Sequence, residues 1–200
     1  MTDATPAPKP PPKKKPAPEP PAWTGRETAA SILAAKYPEG CRVEEERADP
    51  TVEVDAALWP VVARWLKEDA ALAFETCHLV TGIDRGAEAD RLEAVYSLYS
   101  RVRREWLHVR IPTGRAEGAE VPSAAGVWRA ADWHERETFD LVGIHFTEHP
   151  DPRRIFLPDD WEGHPLRKDY DYPVEYHGIR DVYRMPGGIL APDADPPEGD

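Results

Sequence analysis

Apolar positions recur with two spacings along this 200-residue chain, one typical of helices and one of strands. A capping box from Thr24 to Glu27 predicts a first helix that runs to about Lys36. A second helix is predicted to follow an N-cap at Asp55, because five apolar side chains of residues 58–66 fall on one helical stripe. These five are Leu58, Val61, Val62, Trp65 and Leu66.

Strands are predicted where apolar and polar residues alternate or where short apolar runs lie between turn residues. Two short strands lie within residues 41–47 and 51–55, and longer ones lie near residues 74–83, 92–98 and 107–111. Because adjacent strands are joined by turns while helices are interspersed, we predict an α+β fold. Its mixed, partly antiparallel sheet is packed with helices and is followed by an extended C-terminal strap.

A third helix is predicted from an N-cap at Asp132 to a left-handed C′ position at Gly143. It carries Glu135, Arg136, Glu137 and Asp140 among apolar residues, and Arg136 and Asp140 lie one turn apart, so they are expected to pair weakly. We expect these carboxylates to face a partner or the chain's own arginines.

Regular structure is not expected after this helix, because five prolines fall between His145 and Pro173. Only residues 154–157 are predicted to form a short strand. Bulky apolar and aromatic groups alternate here with arginines, a composition typical of the centre of an interface. The segment is therefore predicted to lie against a partner, and the alternative is a long loop folded back over its own sheet.

Composition divides the chain further. Residues 1–22 contain nine prolines and four lysines, and residues 190–200 are acidic, so both are predicted to be disordered. The α+β domain is then residues 23–143 and the extended partner-binding segment residues 144–189. The net charge of −12 argues against a nucleic-acid-binding module, which normally has a basic face.

No apolar stretch approaches the ~20 residues of a membrane span, and the N-terminus has no apolar signal region. Cys41 and Cys77 are too few for an iron–sulfur cluster or a structural zinc site. Free thiols in a reducing cytoplasm are expected, and one disulfide is the alternative.

Three runs of residues with fixed spacing carry a recognisable motif. They read ERETFDLVGIHF at 135–146, HPDPRRI at 149–155 and WEGHPLRKDY at 161–170. Together they resemble the motif of the subunit designated C in proton-pumping NADH-quinone oxidoreductase, respiratory complex I. One departure is that Asp171 and Tyr172 precede Pro173, where in the family a proline commonly follows at once.

This resemblance implies a non-catalytic structural subunit of the peripheral arm, on the cytoplasmic side of the cell membrane. Iron–sulfur clusters, FMN and quinone would lie on other subunits, with no cofactor on this chain. The implied partner is the large quinone-pocket subunit, which is designated D, together with other peripheral-arm subunits. The alternative is an equivalent subunit of a related membrane-bound hydrogenase or of a quinone reductase with another electron donor.

The residues expected at the partner interface come from the third helix and the segment after it. They are Glu135, Arg136, Glu137, Asp140, Gly143, His149, Pro150, Arg153, Arg154, Trp161, Gly163, Pro165, Arg167, Lys168 and Asp169.

Catalytic hypotheses are weaker. A metal site of His145, His149 and an acid is opposed by Pro150, which disrupts regular ligand geometry. Cys77 and His78 are neighbours in a predicted strand, so their side chains should point to opposite faces rather than converge. No glycine-rich phosphate loop is present, which argues against nucleotide binding by this chain.

Overall fold

The computed structural model describes residues 27–116, 118–173 and 175–180. The predicted disordered segments, residues 1–22 and 190–200, lie outside these ranges, and so does Thr24. These described ranges contain three helices, α1 (Ala29–Lys36), α2 (Trp59–Glu68) and α3 (Arg129–Val142). The strands are β1 (Cys41–Val43), β2 (Thr51–Val54), β3 (Thr76–Asp84), β4 (Arg91–Ser100), β5 (Glu105–Gly114), β6 (Glu120–Pro122), β7 (His145–Thr147), β8 (Glu175–Tyr176) and β9 (Ile179–Arg180).

The main sheet has five strands in the order β1-β2-β5-β4-β3. β2 runs parallel to β5, and the other neighbours are antiparallel. The predicted α+β fold with a mixed, partly antiparallel sheet is therefore confirmed. β6 and β7 form a separate parallel pair, and β8 and β9 a small antiparallel pair.

One face of the sheet packs against the helices. Leu92, Ala94, Tyr96 and Leu98 of β4 point to this face and are fully buried, as the alternation in the sequence predicts. The centre of the core is aromatic, with the ring of Trp59 4.6 Å from that of Tyr96. None of the helices in the described ranges has both the length and the apolar character that crossing a bilayer requires.

The first helix begins later than predicted. Its N-cap is Thr28, whose hydroxyl accepts the Ser31 amide at 3.2 Å, rather than Thr24. A second anchor comes from outside the helix, because the buried Glu105 carboxylate accepts the Ala29 amide at 2.7 Å. This long-range bond satisfies a free N-terminal amide that a local capping box does not reach.

The second helix begins at Trp59, not directly after Asp55 as predicted. Asp55 forms the preceding turn, and its backbone oxygen accepts the amides of Leu58 and Trp59. The predicted apolar stripe is only partly correct, because Val61 is 55% exposed while Trp59 and Ala63 are fully buried. The helix is rotated so that the Trp59 ring enters the core.

The third helix starts at Arg129, and its N-cap is Trp128, four residues before the predicted N-cap at Asp132. Trp128 is buried and its indole donates to the Phe74 carbonyl at 2.9 Å, which fixes the start of the helix from the core. The predicted end is confirmed, since Gly143 has the left-handed φ of +82°. The helix packs on β3, where a Cβ at Gly82 would meet Thr138 Cγ2 at 2.9 Å.

Candidate partner-binding surface

The carboxylate of Asp140 organises the segment that follows α3. Its Oδ2 accepts the amides of Ile155, Phe156 and Leu157 at 3.0, 2.7 and 3.0 Å, and its Oδ1 accepts Arg154 Nη1 at 3.0 Å. Burial acts to raise the pKa of Asp140, but the three amides and the guanidinium together outweigh it and hold the pKa below its usual value. A single buried side chain thus replaces the backbone partners that the segment lacks.

This convergence excludes the short strand predicted for residues 154–157. Three successive amides of a strand point alternately to opposite sides, whereas here all three point to one oxygen, so the backbone bends. The predicted weak pair of Arg136 with Asp140 is also wrong, because Asp140 pairs with Arg154 and Arg136 with Asp151.

A second anchor lies at the C-terminal end of α3. Arg167 donates from Nε to the Val142 carbonyl at 2.8 Å and from Nη2 to the Gly143 carbonyl at 3.3 Å. The Leu166 amide donates to the carbonyl of Leu141 at 2.9 Å. The last carbonyls of a helix lack partners within the helix and carry partial negative charge, so they suit a guanidinium.

Gly143 is needed at this position for two reasons. Its φ of +82° disfavours any residue with a side chain. An added Cβ would also lie 2.4 Å from Cδ2 of His164 and 2.7 Å from Nη2 of Arg167. The helix end and the following segment therefore approach each other as closely as glycine allows.

A third anchor joins the segment to the end of β3. Arg115 bonds both carboxylate oxygens of Asp84 at 2.8 Å and reaches Asp169 at 2.6 Å, while the Lys168 amide donates to Asp84 at 2.9 Å. Burial acts to raise the pKa of Asp84, but donation by Arg115 and by the Lys168 and Gly86 amides lowers it to about 2. Sequence reasoning missed Arg115, because it lies 31 residues from Asp84 and no local pattern links them.

Glu135 of α3 lies in a buried polar network that extends to His149, near the start of the segment. Its carboxylate accepts Tyr96 Oη at 2.8 Å and the Ala124 amide at 2.8 Å, and it also accepts the Ser123 hydroxyl. Burial raises the pKa of Glu135 in spite of these donors. His149 Nε2 lies 3.9 Å from this carboxylate, and its Nδ1 accepts the Asp151 amide at 3.0 Å.

Arg136 connects α3 to the outer part of the segment. Its guanidinium lies 4.8 Å from the ring centroid of Trp133, and its Nε donates to the Arg153 carbonyl at 3.1 Å. Arg153 itself points outwards, with 77% of its side chain exposed, and pairs with Asp151 at 2.6 Å.

The fifteen residues predicted for an interface thus fall into three sets. Glu135, Arg136, Asp140 and His149 are buried within the chain. Glu137, Gly143, Arg154, Trp161, Pro165 and Arg167 are half-buried. Pro150, Arg153, Gly163, Lys168 and Asp169 are exposed. The buried set positions the segment, and the other two sets present most of the surface that faces solvent.

The segment and α3 also expose large apolar side chains. Trp133 and Phe156 are each 62% exposed, Leu166 is 59% exposed and Tyr172 is 47% exposed. Exposed apolar groups of this size, close to a charged border, mark surfaces that bind other proteins. The sequence indicated the composition but not which rings turn outwards.

The geometry gives no metal centre in the described ranges, where no three histidine, cysteine or acidic side chains are placed to hold an ion. His145 is exposed and lies 3.7 Å from Glu120, whereas His149 is buried. Cys77 is buried and His78 exposed, so the two point to opposite faces of β3 as predicted.

Comparison with known proteins agrees with the motif. The model of the family described as the 30 kDa subunit of respiratory-chain NADH dehydrogenase matches residues 52–176. The chain is 39% identical over 188 residues to the NADH-quinone oxidoreductase subunit designated C of Chloroherpeton thalassium, a match that covers 90% of this chain and 75% of that protein. The chain belongs to this family. The resemblance recognised in the sequence is thereby confirmed.

Other members of the family are similarly related. The corresponding NADH-quinone oxidoreductase subunit of Mycobacterium sp. (strain KMS) is 46% identical over 145 residues, which cover 70% of this chain and 62% of that protein. The chain therefore spans about three fifths of the length of this relative. Among solved structures, a chain of the membrane-bound sulfane sulfur reductase, an archaeal respiratory membrane complex, has the same fold with a TM-score of 0.59. That match has 23% identity and covers 70% of this chain and 82% of that chain.

Proposed function

We propose that the chain is a non-catalytic structural subunit of the peripheral arm of NADH-quinone oxidoreductase. In this role it docks onto the large quinone-pocket subunit and supports electron transfer from NADH to quinone, coupled to proton translocation. The iron–sulfur clusters, FMN and quinone are then carried by other subunits. The chain reaches the cytoplasmic side of the membrane only through the assembled complex.

The observation that carries this proposal is the way in which residues 148–173 are held. They are fixed to the α+β domain by Asp140, Arg167 and Asp84, yet they turn Phe156 and Leu166 towards solvent. A segment that is rigidly held while it exposes apolar groups loses little further entropy on binding, which favours affinity. Such preorganisation is expected of a docking surface and is not needed in a connecting loop.

The two alternatives that the sequence left open do not exclude each other. The segment does fold back onto its own domain, as a long loop would, but it contacts the end of α3 and the end of β3 and leaves one side exposed. We infer that the exposed side forms the interface with the large quinone-pocket subunit, through Arg153, Lys168 and the apolar groups. The buried residues Glu135 and Asp140 set its shape.

The test is affinity purification of the tagged chain from its native membranes in mild detergent, with identification of every co-purifying protein. The proposal predicts a large quinone-pocket subunit, iron–sulfur subunits and membrane pump subunits in stoichiometric amounts. A co-purifying flavin subunit is expected for NADH as donor, and its consistent absence from the intact complex would favour the equivalent subunit of another reductase. Recovery of the chain alone would contradict the proposal.

A further inference from the structure

A pocket of about 420 Å³ lies at the far end of the C-terminal segment, within the size range of ligand sites. Its aromatic lining includes Trp161, Tyr170 and Tyr176. The rings of Trp161 and Tyr176 are 5.0 Å apart with their planes at 56°, and Tyr170 Oη donates to the Glu162 carbonyl at 3.0 Å. Tilted aromatic rings of this kind form the ridges and grooves that hold extended, proline-rich chains.

The pocket is also acidic. Glu162 and Glu175 lie in its lining, are exposed, and form no ion pair within the described chain. Asp160 is already engaged, by Tyr176 Oη at 2.8 Å and His177 Nε2 at 2.6 Å. No lysine or arginine is among the described lining residues, and the one histidine there, His177, is paired with Asp160, so a cation that enters meets the other carboxylates and the aromatic faces.

One donor in this pocket lacks an acceptor. The Trp161 indole Nε1 is shielded from solvent and has no hydrogen-bond partner in the described part of the chain. A buried donor without an acceptor is costly, and a ligand carbonyl would satisfy it. The carbonyls of a polyproline helix make no internal hydrogen bonds, so they are free to accept.

We propose that this pocket binds the chain's own proline- and lysine-rich arm, residues 6–21. The arm supplies the three chemical features that the pocket lacks, namely lysines, proline rings and free carbonyls. With three residues per turn of a polyproline helix, Pro12, Lys15 and Pro18 share one edge, so prolines meet the rings on either side of a lysine that meets Glu162 or Glu175.

The geometry of the chain allows this contact. Glu27 is tied to the β4–β5 turn, where its carbonyl accepts Arg103 Nη2 at 2.6 Å, while Asp169, beside the pocket, is tied to Arg115 at the other end of the sheet. The two ends of the sheet are separated by about the length of β4, and a ten-residue strand spans roughly 33 Å. Lys15 and Glu27 are twelve residue steps apart, and a chain of that length can reach at most roughly 40 Å. Because the arm belongs to the same chain, the contact is intramolecular, which favours the arm over free ligands.

This inference goes beyond the proposed function and does not rest on it, since it concerns the isolated chain. If the C-terminal segment also docks onto another protein of the complex, the arm covers the aromatic pocket before assembly.

Photo-crosslinking in the full-length chain tests the proposal. Ala17 is replaced by p-benzoyl-L-phenylalanine, the chain is irradiated at low ionic strength, and the crosslinked peptides are mapped by mass spectrometry. We expect the crosslinks to concentrate on peptides that contain Trp161 or Tyr176. An equal mixture of isotopically heavy and light chains distinguishes crosslinks within one chain from those between copies.

Charge reversal provides the specificity control. Glu162→Lys with Glu175→Lys should lower the pocket crosslink about fivefold or more, because each exposed ion pair contributes up to ~1 kcal/mol. Reversal of two exposed glutamates outside the pocket, Glu39→Lys with Glu88→Lys, should leave it unchanged. Changing Lys13, Lys14 and Lys15 to glutamate in the pocket-reversed chain should restore the crosslink.

The possible results separate clearly. Pocket crosslinks within one chain that follow the charge reversal and its rescue support the proposal. Three results would overturn it. They are crosslinks scattered over the sheet, crosslinks mainly between heavy and light chains, and a pocket crosslink that stays unchanged by the reversal of Glu162 and Glu175. None of these results depends on assembly with other subunits, so failure here is distinguishable from failure of the proposed function.

Discussion

Oδ2 of Asp140 lies 2.7 Å from the amide nitrogen of Phe156, sixteen residues later in the chain. This bond joins the last turn of α3 to the centre of a segment that has little regular structure. Because the Phe156 ring is 62% exposed, the contact fixes the backbone while the side chain stays available to another protein. The relationship explains how an irregular segment presents a defined surface.

Asp140→Asn should loosen this segment while the sheet remains folded. The substitution removes the charge that pairs with Arg154 and one oxygen that accepts amides, at a cost of about 1–3 kcal/mol. Hydrogen exchange of the Ile155, Phe156 and Leu157 amides should accelerate, while exchange in β4 should not change. Glu137→Gln on the same helix is the matched control, because Glu137 is half-exposed and its ionic contact is with His134 at 3.9 Å. Unchanged protection of all three amides in Asp140→Asn would contradict the assigned role.

Gly143→Ala should destabilise the chain by about 1–3 kcal/mol, through the strain of a positive φ and the contacts with His164 and Arg167. Chemical denaturation measures the loss. Gly126→Ala is the control, since a Cβ there would meet no atom within 4 Å. Equal free energies of unfolding for the two variants would show that the close contact at Gly143 does not contribute to stability.

Asp84→Asn should reduce stability near neutral pH and progressively less at acidic pH. The folded-state pKa of Asp84 is lowered from 3.8 to about 2, so its contribution is fully present above 3.8 and is lost as pH falls towards 2. Urea denaturation of both chains between about pH 2 and pH 7 measures the difference in free energy of unfolding. A difference that stays constant over this range would show that Asp84 is not stabilised as a carboxylate.

Glu135→Gln should have the opposite pH dependence. Burial raises the folded-state pKa of Glu135, so the unfolded chain loses its proton first and the free energy of unfolding falls as pH rises above 4.5. A glutamine can keep bonds to Tyr96 and Ala124 without this penalty. The variant should therefore gain stability relative to the native chain as pH rises, which a denaturation series measures. A relative loss with rising pH would mean that the carboxylate is stabilised in its charged form.

Much of the fold was predictable because its signals are local. The strand alternation near Leu107 and the glycine that ends α3 are readable from neighbouring residues, and both predictions are confirmed. The starts of the first and third helices were not predictable, because they are fixed by contacts with residues far away in the sequence. Glu105 holds the amide of Ala29, and the indole of Trp128 bonds Phe74 across the core. No local pattern encodes such contacts.

The candidate surface was predictable in composition but not in its internal contacts. The motif and its arginines indicated an interface, which stays a prediction. The role of Asp140 was hidden, since its amide donors lie 15 to 17 residues away in a stretch without periodicity. The outward turn of Trp133 was hidden too, because its helix, read from sequence, gave no reason to expose the largest ring.

The central claim is that the exposed apolar side chains of the C-terminal segment hold the chain in its complex. The most direct measurement is the amount of partner subunits that co-purify with a tagged Phe156→Ser, Leu166→Ser chain from native membranes. The control is Val61→Ser with Val102→Ser, which removes apolar side chains of similar exposure, 55% and 65%, from elsewhere on the surface. Our account predicts at least a tenfold loss of partners for the first chain, since two buried interface anchors contribute roughly 1–2 kcal/mol each, and no loss for the second. Equal recovery of partners with both chains would contradict it.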